Sequence, residues 1–250
     1  MKNTIYILFI MQLILSACSQ DSQNESDSFE TFLDKWNLRS NLNEEKCTSV
    51  SDSVKYPDPF TKEIAETFAI PDEIIHNMST CGLLETLLDC PPRRMLGPWC
   101  TTCSNSNLPG ITMFNEELLN IKEAVEFFKR YDCFSVLSYK YLTIIKEKKE
   151  QSGQIAYFEM VLASDICMSV LNESEKIQLI AMALEKVKNK NSIIHIVETC
   201  HIMIAVMKAC DYSPFMNEVS ANIVEGTFGY NIGDYDIQKY AKDFLNEMNK

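Results

Sequence analysis

The spacing of apolar residues along the chain is the feature that most restricts its fold. From residue 29 onward, apolar side chains recur every three or four positions, as in Phe134, Leu137 and Tyr141, which places them on one face of an α-helix. Only 7 of the 250 residues are glycine, whereas all-β proteins use glycine at many turns. We therefore predict an all-α fold, either a multi-helix bundle or a HEAT/armadillo-like α-α stack.

Polar cap residues and prolines divide this pattern into separate helices. Asn172 and Glu175 match the capping box, in which each side chain binds the other residue's backbone N–H. The helix pairs that we predict recur at roughly 38 residues, near the length of a HEAT or armadillo unit, although the residues themselves do not repeat. We expect helices from Phe29 to about Arg39, from Pro71 until Pro91 ends it, over residues 154–171 and from Ser192 to about Ala209. The others begin at Thr61, Asn115, Asp132, Asn172, Ser213 and either Asp234 or Asp236.

Two segments depart from the amphipathic pattern. Residues 193–210 are apolar on nearly every side, which is typical of a helix at the centre of a bundle. Residues 91–112 have no helical period, and an irregular loop of that length is often functional. We expect this loop to be a contact surface that includes Arg93, Arg94 and Trp99.

Residues 1–17 have the composition of a secretion signal. Lys2 precedes an apolar run from Ile5 to Leu15, which is shorter than the roughly 20 residues of a transmembrane helix. The next residues, Leu15-Ser16-Ala17-Cys18, resemble the lipobox of bacterial lipoproteins. This resemblance implies cleavage before Cys18, a diacylglyceryl group on its sulfur and an added acyl chain such as palmitate. The alternative is an ordinary signal peptide cut near Ala17, with Cys18 incidental.

The segment after the lipobox predicts where the rest of the chain is held. After Cys18, residues 19–28 include no apolar side chain and three acids, so we expect residues 18–28 to be a disordered tether. Residues 29–250 are then a single helical domain. The residue after Cys18 is Ser19 rather than aspartate, and in the enterobacterial lipoproteins this suggests the outer rather than the inner membrane. We expect a lipid-anchored protein on the extracytoplasmic face of a bacterial cell envelope.

The charge of the chain restricts its partners. It carries 23 Lys+Arg and 35 Asp+Glu, a net of −12, and loss of Lys2 with the leader leaves 22 against 35, or −13. Nucleic-acid binding requires basic patches that release counterions, so this charge argues against it. We expect the membrane, through the lipid, and a protein of unknown identity as partners.

Nine cysteines follow Cys18 in the sequence. Four of them, at positions 133, 167, 200 and 210, lie in predicted helices among apolar neighbours, where cysteine behaves as a small hydrophobic residue. The Cys100-Thr-Thr-Cys103 motif has three interpretations. A thioredoxin-like redox pair requires a nearby βαβ pattern, which we do not find. A zinc site requires four ligands, which Cys81, Cys90, Cys100 and Cys103 could supply, but no second CxxC is present. We favour the third, in which these four cysteines staple or line the loop, and expect no cofactor beyond the lipid.

Other candidate residues for chemistry have simpler interpretations. His195 and His201 are six apart, so on a helix they point about 240° apart and do not share a metal ion; we expect them in the core. Asp165 lies in an apolar stretch and is either a buried acid or, as we favour, a paired or groove-facing residue.

These observations favour a non-enzymatic module that binds a protein or a peptide. One alternative is a metal- or thiol-dependent enzyme centred on Cys90, Cys100 and Cys103. The other is a module that binds a glycan or a lipid.

Overall fold

The computed structural model describes most of the chain from residue 29 onward: residues 29–42, 47, 51–56, 69–89, 110–150, 152–188, 197–218 and 236–248. The chain divides into two compact units between Leu42 and Asn43. The leader and tether predicted for residues 1–28 lie outside these ranges, and the single domain predicted for residues 29–250 stays a prediction.

All regular structure in the described ranges is helical, which confirms the all-α prediction. Within these ranges, no helix combines the length and the apolar character that a bilayer crossing requires. The helices are α1 (29–35), α2 (Asp72–Asn77), α3 (Thr80–Asp89), α4 (Gly110–Leu119), α5 (Lys122–Lys129), α6 (Cys133–Lys146), α7 (Gly153–Leu162), α8 (Asp165–Val170), α9 (Glu173–Val187), α10 (Val197–Ala209), α11 (Ser213–Glu218) and α12 (Ile237–Met248), with a 3-10 turn at Arg39–Leu42.

The N-terminal unit contains α1 and the 3-10 turn. The predicted helix from Phe29 to about Arg39 ends earlier, because Asn37 adopts a left-handed conformation with φ 53°, a common way for a helix to end. Arg39 then folds back on α1. Its guanidinium donates to Asp34 over 2.7 and 2.9 Å and pairs with Glu30 at 2.5 Å, and this bonding lowers the pKa of Asp34.

Helix α10 lies at the centre of the second unit, as its composition predicted. It packs against α7, α8, α9 and α12, so it meets neighbours on several sides. Ile202, Met203, Val206 and Met207 on this helix are all fully buried. A helix surrounded in this way needs apolar side chains around most of its circumference, which is what the sequence provides.

Helix α5 is the second point at which several helices meet. It packs against α2, α3, α4, α6 and α8. Ala124, Phe127 and Phe128 form its buried face, whereas Lys129 on the opposite face is exposed. This amphipathic pattern leaves one side of α5 available to solvent.

The single helix predicted from Pro71 to Pro91 is instead two helices, α2 and α3. Met78 adopts an extended conformation, and the backbone N–H of Ser79 donates to Asp52 over 2.6 Å. The Ser79 hydroxyl donates to the same carboxylate over 3.0 Å. Asp52 therefore binds polar groups at the start of α3. In a continuous helix the Ser79 N–H would instead donate to a backbone carbonyl of the preceding turn. The break also leaves Ile74 exposed and Ile75 buried.

The segment 51–56, which precedes α3 in the chain, lies along α3 and links it to α5. The Val54 N–H donates to the Thr86 hydroxyl over 2.9 Å, and the Tyr56 N–H donates to Asp89 over 2.9 Å. The Tyr56 hydroxyl donates to Glu123, which is buried on α5. A disulfide between residues 47 and 81 links the chain just before this segment to α3. We call residues 51–56 the strap.

Further helix boundaries differ from prediction, and the helix predicted from Asn115 is divided at residues 120–121 into α4 and α5. Asn115 does not cap a helix, because α4 begins at Gly110 and continues through it; the Asn115 side chain accepts from the Asp165 N–H over 3.1 Å instead. Residues 110–112, predicted as the end of the loop, are therefore helical. The helix predicted over 154–171 is interrupted by Ser164, which caps α8.

Other boundaries agree with prediction because their signals are local. The capping box of Asn172 and Glu175 is present, with bonds of 2.9 and 3.0 Å. Of the two candidates for the last cap, Asp236 accepts from the Lys239 N–H over 2.9 Å, whereas Asp234 lies outside the described residues.

Gly82 gives a test of how closely the strap lies on α3. A Cβ atom on Gly82 would lie 2.3 Å from Asp52 Oδ1, whereas nothing lies within 4 Å of a Cβ on Gly153. Alanine normally stabilises a helix relative to glycine by about 0.5–1 kcal/mol. We expect Gly82→Ala to lower the free energy of unfolding and Gly153→Ala to leave it equal or slightly higher, as measured by urea denaturation. An equal effect of the two substitutions would contradict this close contact.

Candidate functional site

Several residues singled out by the sequence lie outside the described ranges. The predicted lipid attachment, the contact loop and most of the cysteine motif therefore stay predictions. These residues are Cys18, Cys90, Arg93, Arg94, Trp99, Cys100, Cys103 and His195.

Cys81 forms a disulfide with Cys47. This sulfur is therefore unavailable to the alternative zinc site, and the bond links α3 to the chain before the strap rather than to the loop after α3. A cross-link that spans 34 positions stabilises a fold by about 3–4 kcal/mol in the chain-entropy treatment. In the described part of the chain, no three His, Cys, Asp or Glu residues are grouped so that they could hold a metal ion.

The prediction of core thiols is confirmed for three of the four helical cysteines. Cys133, Cys167 and Cys200 are buried and unbridged, whereas Cys210 is half-buried. Burial raises the pKa of Cys133 to about 11 and that of Cys200 to about 12. These thiols stay protonated at neutral pH, and the thiolate is the reactive form, so they are packing residues.

The predicted roles of Asp165 and His201 can both be compared with the structure. Asp165 is exposed in the first turn of α8, so it is not a buried acid. His201 is buried in α10, as predicted for a core histidine, and burial lowers its pKa to about 3. The ring is therefore neutral at physiological pH.

Among the described residues, Glu159 is a buried carboxylate that receives several donors, and it is not among the candidate residues that the sequence predicted. It lies on α7 and is fully buried. Its Oε1 atom accepts from the Tyr141 hydroxyl over 2.8 Å and from the Thr199 hydroxyl over 2.6 Å. The Lys186 ammonium lies 2.7 Å from the same oxygen. These residues come from α6, α7, α9 and α10, so one carboxylate joins four helices.

The environment of Glu159 suits a structural role. Burial and the adjacent carboxylate raise the pKa of Tyr141 well above its usual value, so the phenol keeps the proton that it donates. Only 7% of the Lys186 side chain is exposed, and Glu159 is fully enclosed. A substrate therefore has no direct access to this pair. In the sequence, the available signal was an acid with apolar neighbours in the run Tyr157 to Leu162.

A groove between α2 and α5 is a candidate binding surface. Its volume is about 270 Å³, and the C-terminal end of α4 closes one side. Ile75, which is 3% exposed, contributes an apolar part of the lining. The lining residues are Asp72, Ile75, His76, Leu119, Asn120, Lys122, Val125, Glu126 and Lys129.

Ion pairs hold the two walls of this α2–α5 groove together. Lys122 lies 2.6 Å from Asp72 and lowers the pKa of that carboxyl group. Glu126 lies 3.0 Å from the Arg130 guanidinium and 3.8 Å from His76. Arg130 also donates to the His76 carbonyl over 2.9 Å, which ties the end of α2 to the end of α5.

Three exposed apolar side chains lie on or next to the elements that form this groove, and one of them, Leu119, lines it. Tyr131 is 100% exposed, Leu119 58% and Ile74 44%. Single exposed apolar residues are common, but an exposed apolar side chain in the lining of a concave surface with charged residues is a feature of interaction sites. In the described ranges, the other large exposed apolar residues are Val170 and Met248, on α8 and α12.

No protein-family model, no curated protein and no solved structure matches this chain.

The buried pair of Glu159 and Lys186 can be tested by a double-mutant cycle. Glu159→Gln removes the counter-charge of a buried ammonium, so we expect the free energy of unfolding to fall by about 3–5 kcal/mol. Adding Lys186→Met should recover part of this loss. Glu185, which lies 3.6 Å from the exposed Lys188, is the control, and Glu185→Gln should change stability by less than about 1 kcal/mol. Wild-type stability of Glu159→Gln would exclude the structural role.

Proposed function

We propose that this chain is a lipid-anchored protein of the bacterial cell envelope whose helical domain binds a protein or a peptide in the α2–α5 groove. The lipobox at Cys18 supports the anchor and the extracytoplasmic location, with the outer membrane favoured where the cell has one. The observation that supports binding most directly is a concave surface whose lining includes apolar residues, of which Leu119 is 58% exposed.

The apolar residues of the groove suit one apolar side chain of a partner. Ile75 and Val125 contribute apolar surface to its lining, and Leu119 is available to cover an inserted side chain. Tyr131 is fully exposed beside Arg130, and tyrosine and arginine are enriched among residues that dominate binding energy. The Lys122–Asp72 ion pair and the Arg130 bond to the His76 carbonyl fix the spacing of the two walls before binding, which reduces the entropy cost of association.

The charge of the groove favours a carboxylate on the partner. Lys122 and Glu126 are engaged in ion pairs, whereas Lys129 forms no ion pair with any residue that the structure describes. The whole chain has a net charge of −12, but the Debye length at physiological salt is about 8 Å, so exposed distant charges are largely screened. Among the described residues that line the groove, Lys129 is therefore a cation without an ionic partner, and it suits an acidic residue next to the apolar anchor.

The environments of the buried groups favour binding over catalysis in the described core. Glu159 is enclosed, and burial raises the pKa of Cys133 and Cys200. The alternative of a metal- or thiol-dependent enzyme rests on Cys90, Cys100 and Cys103, and zinc content and thiol titration of the purified protein discriminate it.

The anchor is tested on native material. We expect intact-mass spectrometry to give a chain that begins at Cys18 and carries diacylglyceryl and acyl groups, and fractionation to place it with the membranes, because several acyl chains bind a bilayer firmly. Cys18→Ala should remove the lipid and the membrane association. An N-terminus without lipid in the wild-type protein would contradict the proposed anchor.

The α2–α5 groove is tested by matched surface substitutions. Leu119→Asp and Lys129→Glu alter the groove, whereas Val170→Asp alters a comparably exposed apolar residue on α8. We expect an envelope protein captured by the wild type to be retained by Val170→Asp. Its affinity for each groove variant should be at least tenfold weaker by calorimetry, because the substitutions remove the anchor contact or reverse the charge. Equal affinity of Leu119→Asp and Val170→Asp would exclude the groove as the binding site.

A further inference from the structure

A second concavity lies between α12 and the start of α11, and it is independent of the α2–α5 groove. Its volume is about 310 Å³. Lys239, Asp243 and Asn246 on α12 line it, and their spacing of four and three residues places them on one helical face. The opposite face of α12 is buried through Ile237 and Phe244, so the lining face is the one that the fold leaves to solvent.

Tyr212 and Tyr240 line this concavity, and the core holds the ring of each. Tyr212 packs edge to face against Phe244, with ring centroids 5.3 Å apart. Tyr240 packs in the same way against Phe215 at 5.7 Å. The Tyr212 hydroxyl also donates to Glu247 over 3.3 Å. Rings fixed by such contacts are rigid, so binding to them costs little entropy. Tyr212 is 7% exposed, so the half-buried Tyr240 is the more accessible of the two to a ligand.

The polar groups beside these rings are available to a ligand. Lys239, Asp243 and Asn246 are exposed. Neither the Asp243 carboxylate nor the Asn246 amide makes a hydrogen bond or an ion pair with another residue that the structure describes. Together they offer a cationic donor, an anionic acceptor and an amide that both donates and accepts.

We propose that this concavity binds a neutral mono- or disaccharide. A sugar ring has a C–H face, whose positive polarisation complements the negative face of an aromatic ring. Its hydroxyl groups donate and accept, which matches an acceptor, a donor and an amide placed side by side.

The size and the charge of the concavity support the same class of ligand. A volume of about 310 Å³ lies at the small end of ligand pockets, which measure about 300–1,000 Å³. The lining carries one cation, Lys239, and two anions, Asp243 and Glu247. Its net charge is therefore −1, which disfavours an anionic ligand. The polar rim disfavours a lipid chain, since its desolvation would not be compensated.

Saturation-transfer NMR on the full chain in detergent micelles tests this site. The probes are glucose, galactose, N-acetylglucosamine and cellobiose, with micelles alone as the blank. We expect transfer to the C–H protons of at least one sugar at millimolar concentrations, with an affinity on the order of 1 mM. We expect no transfer to a sugar phosphate. The absence of transfer to all four neutral sugars would overturn the proposal, and so would stronger transfer to the sugar phosphate.

Substitutions on α12 locate the binding. Asp243→Ala and Asn246→Ala should each weaken sugar binding at least fivefold, whereas Lys242→Ala, an exposed residue on the same helix that does not line the concavity, should leave it unchanged. Leu119→Asp should also leave it unchanged, which separates this site from the α2–α5 groove. Sugar binding by Asp243→Ala and Asn246→Ala at wild-type strength would overturn the assignment.

Discussion

The helical core depends on the hydrogen bonds and the ion pair that the Glu159 carboxylate forms. Three donors from α6, α9 and α10 converge on one of its oxygens, in a site that excludes water. In a low-dielectric interior each of these bonds is strong, but a missing partner leaves a polar group unsatisfied at high cost. Apolar packing around α10 alone would tolerate small shifts of its neighbours. The network restricts them, because few arrangements of the four helices bring all three donors to the same atom.

The candidate binding surfaces depend on this core through the helices that it orients. Helix α5 packs against α6, one of the four helices that Glu159 joins. On its inner side, Glu123 accepts from Tyr56 of the strap, and on its outer side Lys122 and Glu126 form the ion pairs of the α2–α5 groove. The disulfide between residues 47 and 81 restrains the chain that leads into the strap. The groove is therefore formed by a helix whose adjoining buried face is restrained by the strap.

The boundaries that the sequence predicted correctly are those set by residues close to one another. Asn172 and Glu175 are three positions apart, so their capping box could be found from the sequence. The break before Ser79 could not, because the carboxylate that binds its N–H belongs to Asp52, 27 positions away. The break at Ser164 depends on a local contact, because the Ser164 hydroxyl accepts from the Cys167 N–H three residues later. The apolar pattern nevertheless continues on both sides of Ser164, so it predicted one uninterrupted helix.

The sequence by itself determined the helical class, the central position of α10, the burial of three thiols and of His201, because each follows from apolar spacing along one helix. Only the tertiary structure decided which groups meet. Tyr141 and Thr199 lie 18 and 40 positions from Glu159, and the groove joins residues from α2, α4 and α5. Helical periodicity reports which face of a helix is buried. It carries no information about the partner on the other side of the contact, which depends on how the helices pack.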